Sequence, residues 1–182
     1  MTTRVTIREA APADAAGIAW VHVASWRTTY PGIMPQAHLD ALSLAEHEQL
    51  WQGRLGEDLS GQTHSFVAAD NSGEIIGFVR GGPLHFDDPE YTAEVYTLYL
   101  LKSQQGSGLG RRLFAAAASR LRQDGHMNLF LWTHVRNPAR GFYEKLGGVA
   151  VRTTQRTLKG IVYDDVGYGW NAAALDRLIE RN

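Results

Sequence analysis

Three glycines lie at alternate positions in the short segment from Gln105 to Gly110. Glycine has no side chain and adopts positive φ angles at little cost, so this spacing lets the backbone turn sharply and approach a ligand closely. A helical pattern follows directly, and the free amides and positive dipole end of a helix N-terminus favour a phosphate group. Arg111 and Arg112 add positive charge beside the segment. The segment therefore predicts a phosphate-binding loop.

Two other phosphate-binding motifs do not fit this loop. The dinucleotide-binding motif GxGxxG requires a glycine where Arg111 stands, and a P-loop requires lysine and then serine or threonine after its last glycine. Neither NAD nor ATP is therefore favoured as the ligand. Glycine-rich turns also join strands to helices in proteins that bind nothing there, so the loop alone does not identify its ligand.

The pattern of apolar and turn-forming residues predicts the elements around the loop. In chain order they are a strand at 4–10, a helix at 12–28, a helix from Pro35 past Trp51, a hairpin at 65–70 and 74–82, a strand at 93–101, a helix at 111–121, a strand at 127–135, a helix at 138–146, strands at 149–158 and 161–170 and a helix at 172–179. This order predicts a mixed α/β fold in which helices cover the faces of one sheet.

Length and composition predict a single domain over 1–182 and exclude several classes of function. The chain has no cysteine, which excludes disulfides, thiolate metal sites and a cysteine nucleophile. Its 18 Lys and Arg against 19 Asp and Glu disfavour nucleic-acid binding. We expect a cytoplasmic protein without a membrane span, since there is neither a secretory leader nor a long apolar run. The seven histidines show no paired spacing such as HxxxH, so we expect no metal.

The sequence around the loop resembles the GNAT superfamily of N-acetyltransferases. Gln105-x-x-Gly108-x-Gly110 is similar to the Q/R-x-x-G-x-G/A signature of that superfamily. Residues 131–148 (LWTHVRNPARGFYEKLGG) look like its second conserved segment, and residues 26–35 (WRTTYPGIMP) look like the acceptor-side loop of many small members. The resemblance implies a mixed, mostly antiparallel sheet of about seven strands, with a splayed parallel pair at its centre and helices on both faces.

The same resemblance implies that acetyl-CoA is the cosubstrate. Its pantetheine would lie between the splayed strands like an added strand, bonded to the backbone of the central strand, and its pyrophosphate would lie on the glycine loop. The candidate cofactor-binding residues are Leu98, Tyr99, Leu100, Gln105, Gly106, Ser107, Gly108, Leu109, Gly110, Arg111 and Asn137. The acetyl group would pass directly to a primary amine of a small molecule, peptide or protein, with no covalent acetyl-enzyme.

Two residues are candidates for the catalytic chemistry. A lysine-like amine has a pKa of about 10.4, so it must lose a proton before it can attack a thioester. Glu94 shares strand parity with Leu98 and Leu100, so we expect its carboxylate on the thioester side, and the resemblance implies that it acts as the base, directly or through water. Tyr143 occupies the position from which many family members protonate the departing CoA thiolate. A solvated Glu94 and a packed Tyr143 are the alternatives.

The acceptor site is the least defined part of the sequence. Its candidates are aromatic residues in the acceptor-side loop and histidines beside the two central strands, namely Trp26, Tyr30, His85 and His134. Aromatic residues at helical spacing are also typical of a core, and a lone histidine is often only packed. Two alternatives remain open: a GNAT-fold module that binds CoA without turnover, and a transferase that uses another acyl-CoA. A homodimer is compatible with the sequence.

Overall fold

The computed structural model describes residues 5–58, 61–158 and 160–181. Its sheet contains, in chain order, β1 (Thr6–Glu9), β2 (His64–Ala69), β3 (Ile75–Pro83), β4 (Ala93–Leu100), β5 (Leu129–His134), β6 (Val149–Leu158) and β7 (Ile161–Trp170). The α-helices are α1 (Ala15–Thr29), α2 (Gln36–Asp40), α3 (Leu44–Asp58), α4 (Leu109–Gln123), α5 (Arg140–Lys145) and α6 (Ala172–Glu180).

The seven strands form one sheet in the order β1-β2-β3-β4-β5-β7-β6. Neighbouring strands are antiparallel except β4 and β5, which are parallel at the centre. This parallel pair is joined only at Ala93 with Leu129 and at Glu94 with Phe130, after which the two strands separate. The predicted mixed sheet with a splayed central pair is therefore confirmed.

Helices cover both faces of the sheet, each over its own apolar cluster. On one face, Ile18 of α1 and Trp51 of α3 pack with Phe78 of β3. On the other face, α4 presents Leu113 and Leu121 and packs with α6 against the sheet, in line with the helical spacing of its apolar residues. The central strand β4 is thus held between two cores, and its cleft with β5 opens in the middle of the domain.

The helix predicted from Pro35 past Trp51 is wrong as one continuous element. The chain instead forms α2 and α3, with a break at residues 41–43. Ser43 caps the second helix, because its Oγ accepts the Glu46 N–H at 3.3 Å. Arg27 reaches across from α1 and donates to the carbonyl oxygens of Leu39 and Leu42 around the break. These bonds satisfy backbone groups that an unbroken helix would have paired internally.

Gly167 of β7 gives a direct test of the packing on β5. A Cβ at this position would overlap the ring of Phe130, which is fully buried. We expect Gly167→Ala to lower the free energy of unfolding by about 1–3 kcal/mol, because the core must shift to admit the methyl group. The measurement is chemical denaturation of both proteins. Gly53→Ala is the control, since a Cβ there meets nothing within 4 Å, and equal stability of the two variants would contradict the packing.

Candidate active site

The glycine loop connects the end of β4 to the start of α4. Gly106 and Gly108 have φ angles of 78° and 83°, in the left-handed region that favours glycine. Gly108 is the N-cap residue of α4, and no side chain caps the helix there. A Cβ on Gly110 would lie 3.0 Å from Leu100 Cδ1, so the missing side chain lets α4 pack closely on β4. Each of the three glycines therefore has a definite backbone or packing role.

Six consecutive backbone N–H groups in this loop have no hydrogen-bond acceptor within the described residues. They belong to Gly106, Ser107, Gly108, Leu109, Gly110 and Arg111, and the first bond of α4 runs from the Arg112 N–H to the Gly108 oxygen. Residues 105–108 are exposed, whereas the side chain of Leu109 is buried in the core. Because the helix dipole adds positive potential here, the loop is a fitting site for a pyrophosphate.

The backbone of β4 also has free polar groups where it faces the cleft. The Leu101 N–H donates to the Ile76 oxygen, and in the same antiparallel register Tyr99 pairs with Phe78. Alternate residues of a strand point their polar groups to opposite sides, so those of Leu98 and Leu100 face the separated β5. The predicted contact through the Tyr99 backbone is therefore wrong, since β3 already occupies it.

One of these cleft-facing groups has a partner within the protein. Ser25 of α1 donates its hydroxyl hydrogen to the Leu100 oxygen at 3.1 Å. Within the described part of the chain, the cleft-facing groups of these two residues without a partner are the Leu98 N–H, the Leu98 oxygen and the Leu100 N–H. Nothing in the sequence indicated this role of Ser25, because the bond joins residues 75 positions apart.

A β-bulge in β4 determines which way Glu94 faces. On β3, Arg80 pairs with Thr97 and the next residue, Gly81, pairs with Val95, so Tyr96 has no partner. The extra residue shifts the alternation of side chains by one position. The expectation that Glu94 shares a face with Leu98 and Leu100 is therefore wrong.

The bulge places Glu94 on the α3 side of the sheet. The side chains of Leu98 and Leu100 pack on the α4 core, whereas Tyr99 packs on the opposite core formed by α1 and α3. Glu94 faces the same side as Tyr99, at the point where β4 and β5 separate. An acceptor can therefore approach Glu94 from the face opposite the glycine-loop helix.

Glu94 is largely buried, with 8% of the residue exposed. Its Oε2 atom lies 3.3 Å from Nδ1 of His85, and the His85 ring packs on Tyr96 with centroids 4.2 Å apart. Burial raises the pKa of Glu94 above its ordinary value, and the contact with His85 opposes part of this effect. The structure thus brings together two predicted residues, Glu94 and His85, and gives the carboxylate a stronger basicity than an exposed glutamate has.

Tyr143 lies on α5, on the opposite side of the cleft from β4. Its ring is buried among Phe142, Tyr168 and Trp170. Burial raises the pKa of its hydroxyl well above the ordinary value, so the group stays protonated at neutral pH. Within the described residues no hydrogen bond of this hydroxyl is found, which leaves it able to donate to a ligand.

Asn137 uses both ends of its side chain inside the protein. Its amide donates to Thr133 Oγ1 at 2.8 Å, and its oxygen accepts the Ala139 N–H at 2.9 Å. These bonds shape the turn before α5, which begins at Arg140 and not at the predicted residue 138. The side chain therefore has a structural role that the spacing in the sequence did not reveal.

Two other predicted acceptor residues lie at the end of α1. Trp26 and Tyr30 pack with ring centroids 5.1 Å apart, and the Tyr30 hydroxyl lies 3.5 Å from that of Tyr99. Tyr99 in turn stacks on His22 at 5.0 Å. Burial lowers the pKa of His22 to about 3, so this histidine is neutral and accepts the Trp51 indole N–H. The sequence did not indicate that the side chains of Tyr99 and His22 meet here, because their contact joins α1 to β4 across a long stretch of chain.

His134 does not join Glu94 and His85. It ends β5 opposite Asp165 of β7, and its Nδ1 accepts the Arg136 N–H at 3.0 Å. Burial lowers the pKa of His134, and the charge of Asp165 opposes this effect. The bond to Arg136 shows that His134 helps to shape the turn after β5.

Comparison with known protein families gives a clear match over the region just described. Residues 21–148 match the acetyltransferase (GNAT) family, a range that contains β4, the glycine loop and α5. The chain belongs to the GNAT family. GNAT enzymes transfer acetyl groups from acetyl-CoA to amines, and the predictions of the family and of an acetyl-CoA-dependent N-acetyltransferase are confirmed.

Two bacterial proteins show how far the likeness extends. The uncharacterized N-acetyltransferase YuaI of Bacillus subtilis is 38% identical over 178 residues, which cover 97% of this chain and 99% of YuaI. A protein of Mycobacterium tuberculosis named as a probable N-acetyltransferase is 30% identical over 170 residues, covering 91% of this chain and 93% of that protein. The GNAT likeness thus spans nearly the whole chain.

Solved GNAT structures share the fold at low sequence identity. The PaiA N-acetyltransferase of Thermoplasma acidophilum, in complex with coenzyme A, has a TM-score of 0.74 at 19% identity and covers 92% of this chain and 99% of that one. A Salmonella typhimurium structure with acetyl-CoA has a TM-score of 0.69 at 22% identity and covers 93% of this chain and 94% of that one. These likenesses confirm the GNAT fold.

Two structural features are absent from the described residues. Within residues 5–58, 61–158 and 160–181, no group of three or more histidine and carboxylate side chains gathers to hold a metal ion. In the same ranges no helix is both long and apolar enough to cross a membrane.

A substitution at Gly108 tests whether the loop binds CoA. A Cβ there would meet nothing within 4 Å, but a φ of 83° is unfavourable for alanine. We expect Gly108→Ala to weaken CoA binding roughly tenfold, because left-handed backbone costs a residue with a Cβ about 1–2 kcal/mol. Isothermal titration calorimetry measures this effect. Gly53→Ala, on α3, should leave affinity unchanged, and an unchanged affinity in Gly108→Ala would argue against the loop.

Proposed function

We propose that this chain acetylates an amine acceptor with Glu94 as the base and Tyr143 as the proton donor to the leaving group. The observation that carries the proposal is the cleft between β4 and β5, which combines free backbone groups with a buried carboxylate where the strands separate. A run of unpaired amides lies at the end of the same strand. No other part of the described chain combines these three features.

The cleft residues fit acetyl-CoA by their hydrogen-bonding groups. The amides of Gly106 to Arg111 would hold the pyrophosphate, and the free groups of Leu98 and Leu100 would bind the amides of pantetheine. Gln105 and the Ser107 hydroxyl lie on the exposed side of this loop. When bound, acetyl-CoA supplies the thioester that the amine attacks and the thiol that leaves.

Glu94 would take the proton of the acceptor ammonium, directly or through a water molecule. Its raised pKa makes it a better base than an exposed glutamate, since a base works best when its pKa lies near the working pH. The neighbouring His85 imidazole lies at the exposed end of this contact, with 67% of its side chain exposed. We propose that His85 orients the Glu94 carboxylate and gives the released proton a route to solvent.

Tyr143 would donate a proton or hydrogen bond to the departing sulfur. The raised pKa of its buried hydroxyl lies above the thiol pKa of about 8.5, so the hydroxyl keeps its proton and stabilises the thiolate as a hydrogen-bond donor. The wall of the cleft also contains Tyr30, which contacts Tyr99 of β4 and whose pKa is raised by burial and, to a smaller extent, by Tyr99 and Tyr143. We therefore propose Trp26 and Tyr30 as part of the wall along which the acceptor lies.

Thiol release tests the proposed activity as a whole. The protein is mixed with acetyl-CoA and a panel of polyamines, amino acids, aminoglycosides and peptides, and free thiol is measured against time. We expect acceptor-dependent release above the rate of hydrolysis. If CoA raises the melting temperature while no amine yields thiol, the chain is a CoA-binding module without turnover. Propionyl-CoA in parallel reports whether a longer acyl group is preferred.

Replacing Tyr143 by phenylalanine tests the proton donor. The variant keeps the buried ring and loses only the hydroxyl, so we expect turnover to fall by about 100-fold with CoA affinity unchanged. Steady-state kinetics and calorimetry measure the two quantities. Tyr163→Phe removes a hydroxyl from β7 and serves as the matched control. If Tyr143→Phe retains full turnover, the hydroxyl has no part in the reaction.

Replacing Glu94 by glutamine tests the base through the pH profile. The carboxylate accepts a proton only above its pKa, so wild-type kcat/KM should fall as the pH drops through that raised value. We expect Glu94→Gln to be about 100-fold slower and to lose this acid limb. Melting curves at each pH confirm that the variant is folded. An acid limb that persists in Glu94→Gln would identify another group as the base.

A further inference from the structure

A cavity of about 300 Å³ lies beside Glu94 on the α3 face of the sheet, lined by Arg54, Arg80, His85, Tyr96 and Thr97. His85 belongs to its wall and also contacts the Glu94 carboxylate at 3.3 Å. A molecule with one end at Glu94 can therefore extend its other end into this cavity. The chemistry of the lining then indicates what that other end carries.

The two guanidinium groups in the wall differ in their partners. Arg80 is paired, because its side chain lies 2.9 Å from Asp58 Oδ1 and 3.1 Å from Glu57 Oε2. Arg54 has no carboxylate within ion-pair distance in the described part of the chain, and it lies over the Trp51 ring with its Cζ 5.0 Å from the ring centroid. Neither acid that binds Arg80 lines the cavity. The positive charge of Arg54 is thus available to a ligand.

The pKa of Arg54 agrees with this description. Burial is the largest effect and lowers the pKa of Arg54, and repulsion from Arg80 lowers it further. The charges of Glu57 and Asp58 offset only part of these effects. An anion that binds beside a guanidinium with this burial and this repulsion stabilises its positive charge. The cavity is therefore a better place for a negative group than for a second cation.

Thr97 gives an independent indication of a ligand. Its hydroxyl is buried and has no hydrogen-bond partner within the described residues. Buried polar groups in native proteins are nearly always paired, and a rotation of the Thr97 side chain would let this hydroxyl donate to a group in the cavity. A hydroxyl and a guanidinium together suit a carboxylate, since both donate and arginine can bind its two oxygens at once.

We propose that the acceptor is an amine that also carries a carboxylate, such as a free amino acid, with the carboxylate held by Arg54 and Thr97. This inference rests on the proposed function, since Glu94 must receive the amine for the cavity to receive the acid. A polyamine would place a second ammonium against Arg54 and is disfavoured. Arg80 supports the cavity wall through its bonds to Asp58 and Glu57 of α3. The Tyr96 ring lies between the Arg80 guanidinium and the His85 ring.

Matched acceptor pairs test the proposal. We compare kcat/KM for L-leucine with isopentylamine and L-leucinamide, for L-phenylalanine with phenethylamine, and for both amino acids with spermidine. A 1-aminoalkylphosphonate reports whether a tetrahedral anion is preferred. We expect each amino acid to exceed its partners that lack a carboxylate by about tenfold or more, the size of one charge-assisted hydrogen bond. Equal or faster reaction of the amines without a carboxylate, of spermidine or of the phosphonate would overturn the inference.

Variants of Arg54 connect this preference to the cavity. We expect Arg54→Gln to lower kcat/KM for the amino acids about tenfold more than for the amines without a carboxylate, mainly through KM, and Arg54→Lys to retain part of the preference. Arg177→Gln, on the exposed side of α6, is the matched control and should behave as wild type. A preference that is the same in Arg54→Gln as in wild type would exclude this cavity.

The affinity for acetylated products tests the carboxylate site independently of catalytic turnover. Calorimetry in the presence of CoA compares N-acetyl-L-leucine with N-isopentylacetamide, and melting curves verify that each variant is folded. Tighter binding of the acid, lost in Arg54→Gln, supports the cavity even if no amine yields thiol. Equal binding of the two products overturns it. Thiol release only with amines that lack a carboxylate would establish the enzyme and refute the proposed carboxylate site.

Discussion

The hydrogen bonding between β4 and β5 ends after two residue pairs, and the active site consists of the groups that this separation leaves without partners. Unpaired backbone groups inside a protein cost free energy, so two central strands separate only where something else can pair with them. Here the gap lies between two complete cores, one under α1 and α3 and the other under α4 and α6. The two cores fix the positions of the helices on either face of β4, and the cleft is therefore part of the fold itself.

Because of the bulge at Tyr96, the two faces of β4 present different parts of the proposed site. Beyond the bulge, Leu98 and Leu100 direct their side chains into the α4 core, and their backbone groups stay in the plane of the sheet. Glu94 faces the α3 side, where the cavity with Arg54 lies. The proposed cofactor and acceptor sites therefore lie in different directions of approach. Such a separation suits a direct transfer, because both molecules must be present at once.

The features that the sequence predicted correctly are local ones. The glycine loop, the helix after it and the order of strands follow from short-range spacing, and the GNAT resemblance follows from the same segments. The orientation of Glu94 could not be read in this way, because a bulge depends on how β4 pairs with β3. The side-chain bonds of Asn137 depend in the same way on the turn that they stabilise.

Long-range contacts explain the remaining differences from the sequence analysis. The break between α2 and α3 is supported by Arg27 from another helix, which no periodicity of residues 35–51 reveals. The availability of the Arg54 charge depends on its neighbours in space, and the sequence does not show them, since an arginine in an amphipathic helix is ordinarily solvated. The acceptor site is built from such contacts, and for this reason the sequence specified the cofactor better than the acceptor.

The bond from Ser25 to the Leu100 oxygen connects helix α1 to the edge of β4 that faces the cleft. Ser25 directly precedes Trp26, which we propose as part of the acceptor wall, and Leu100 belongs to the strand proposed to bind pantetheine. The acceptor side and the cofactor side of the cleft therefore share one anchor. A substitution that shifts α1 is expected to affect both sides at once, even where it touches neither ligand.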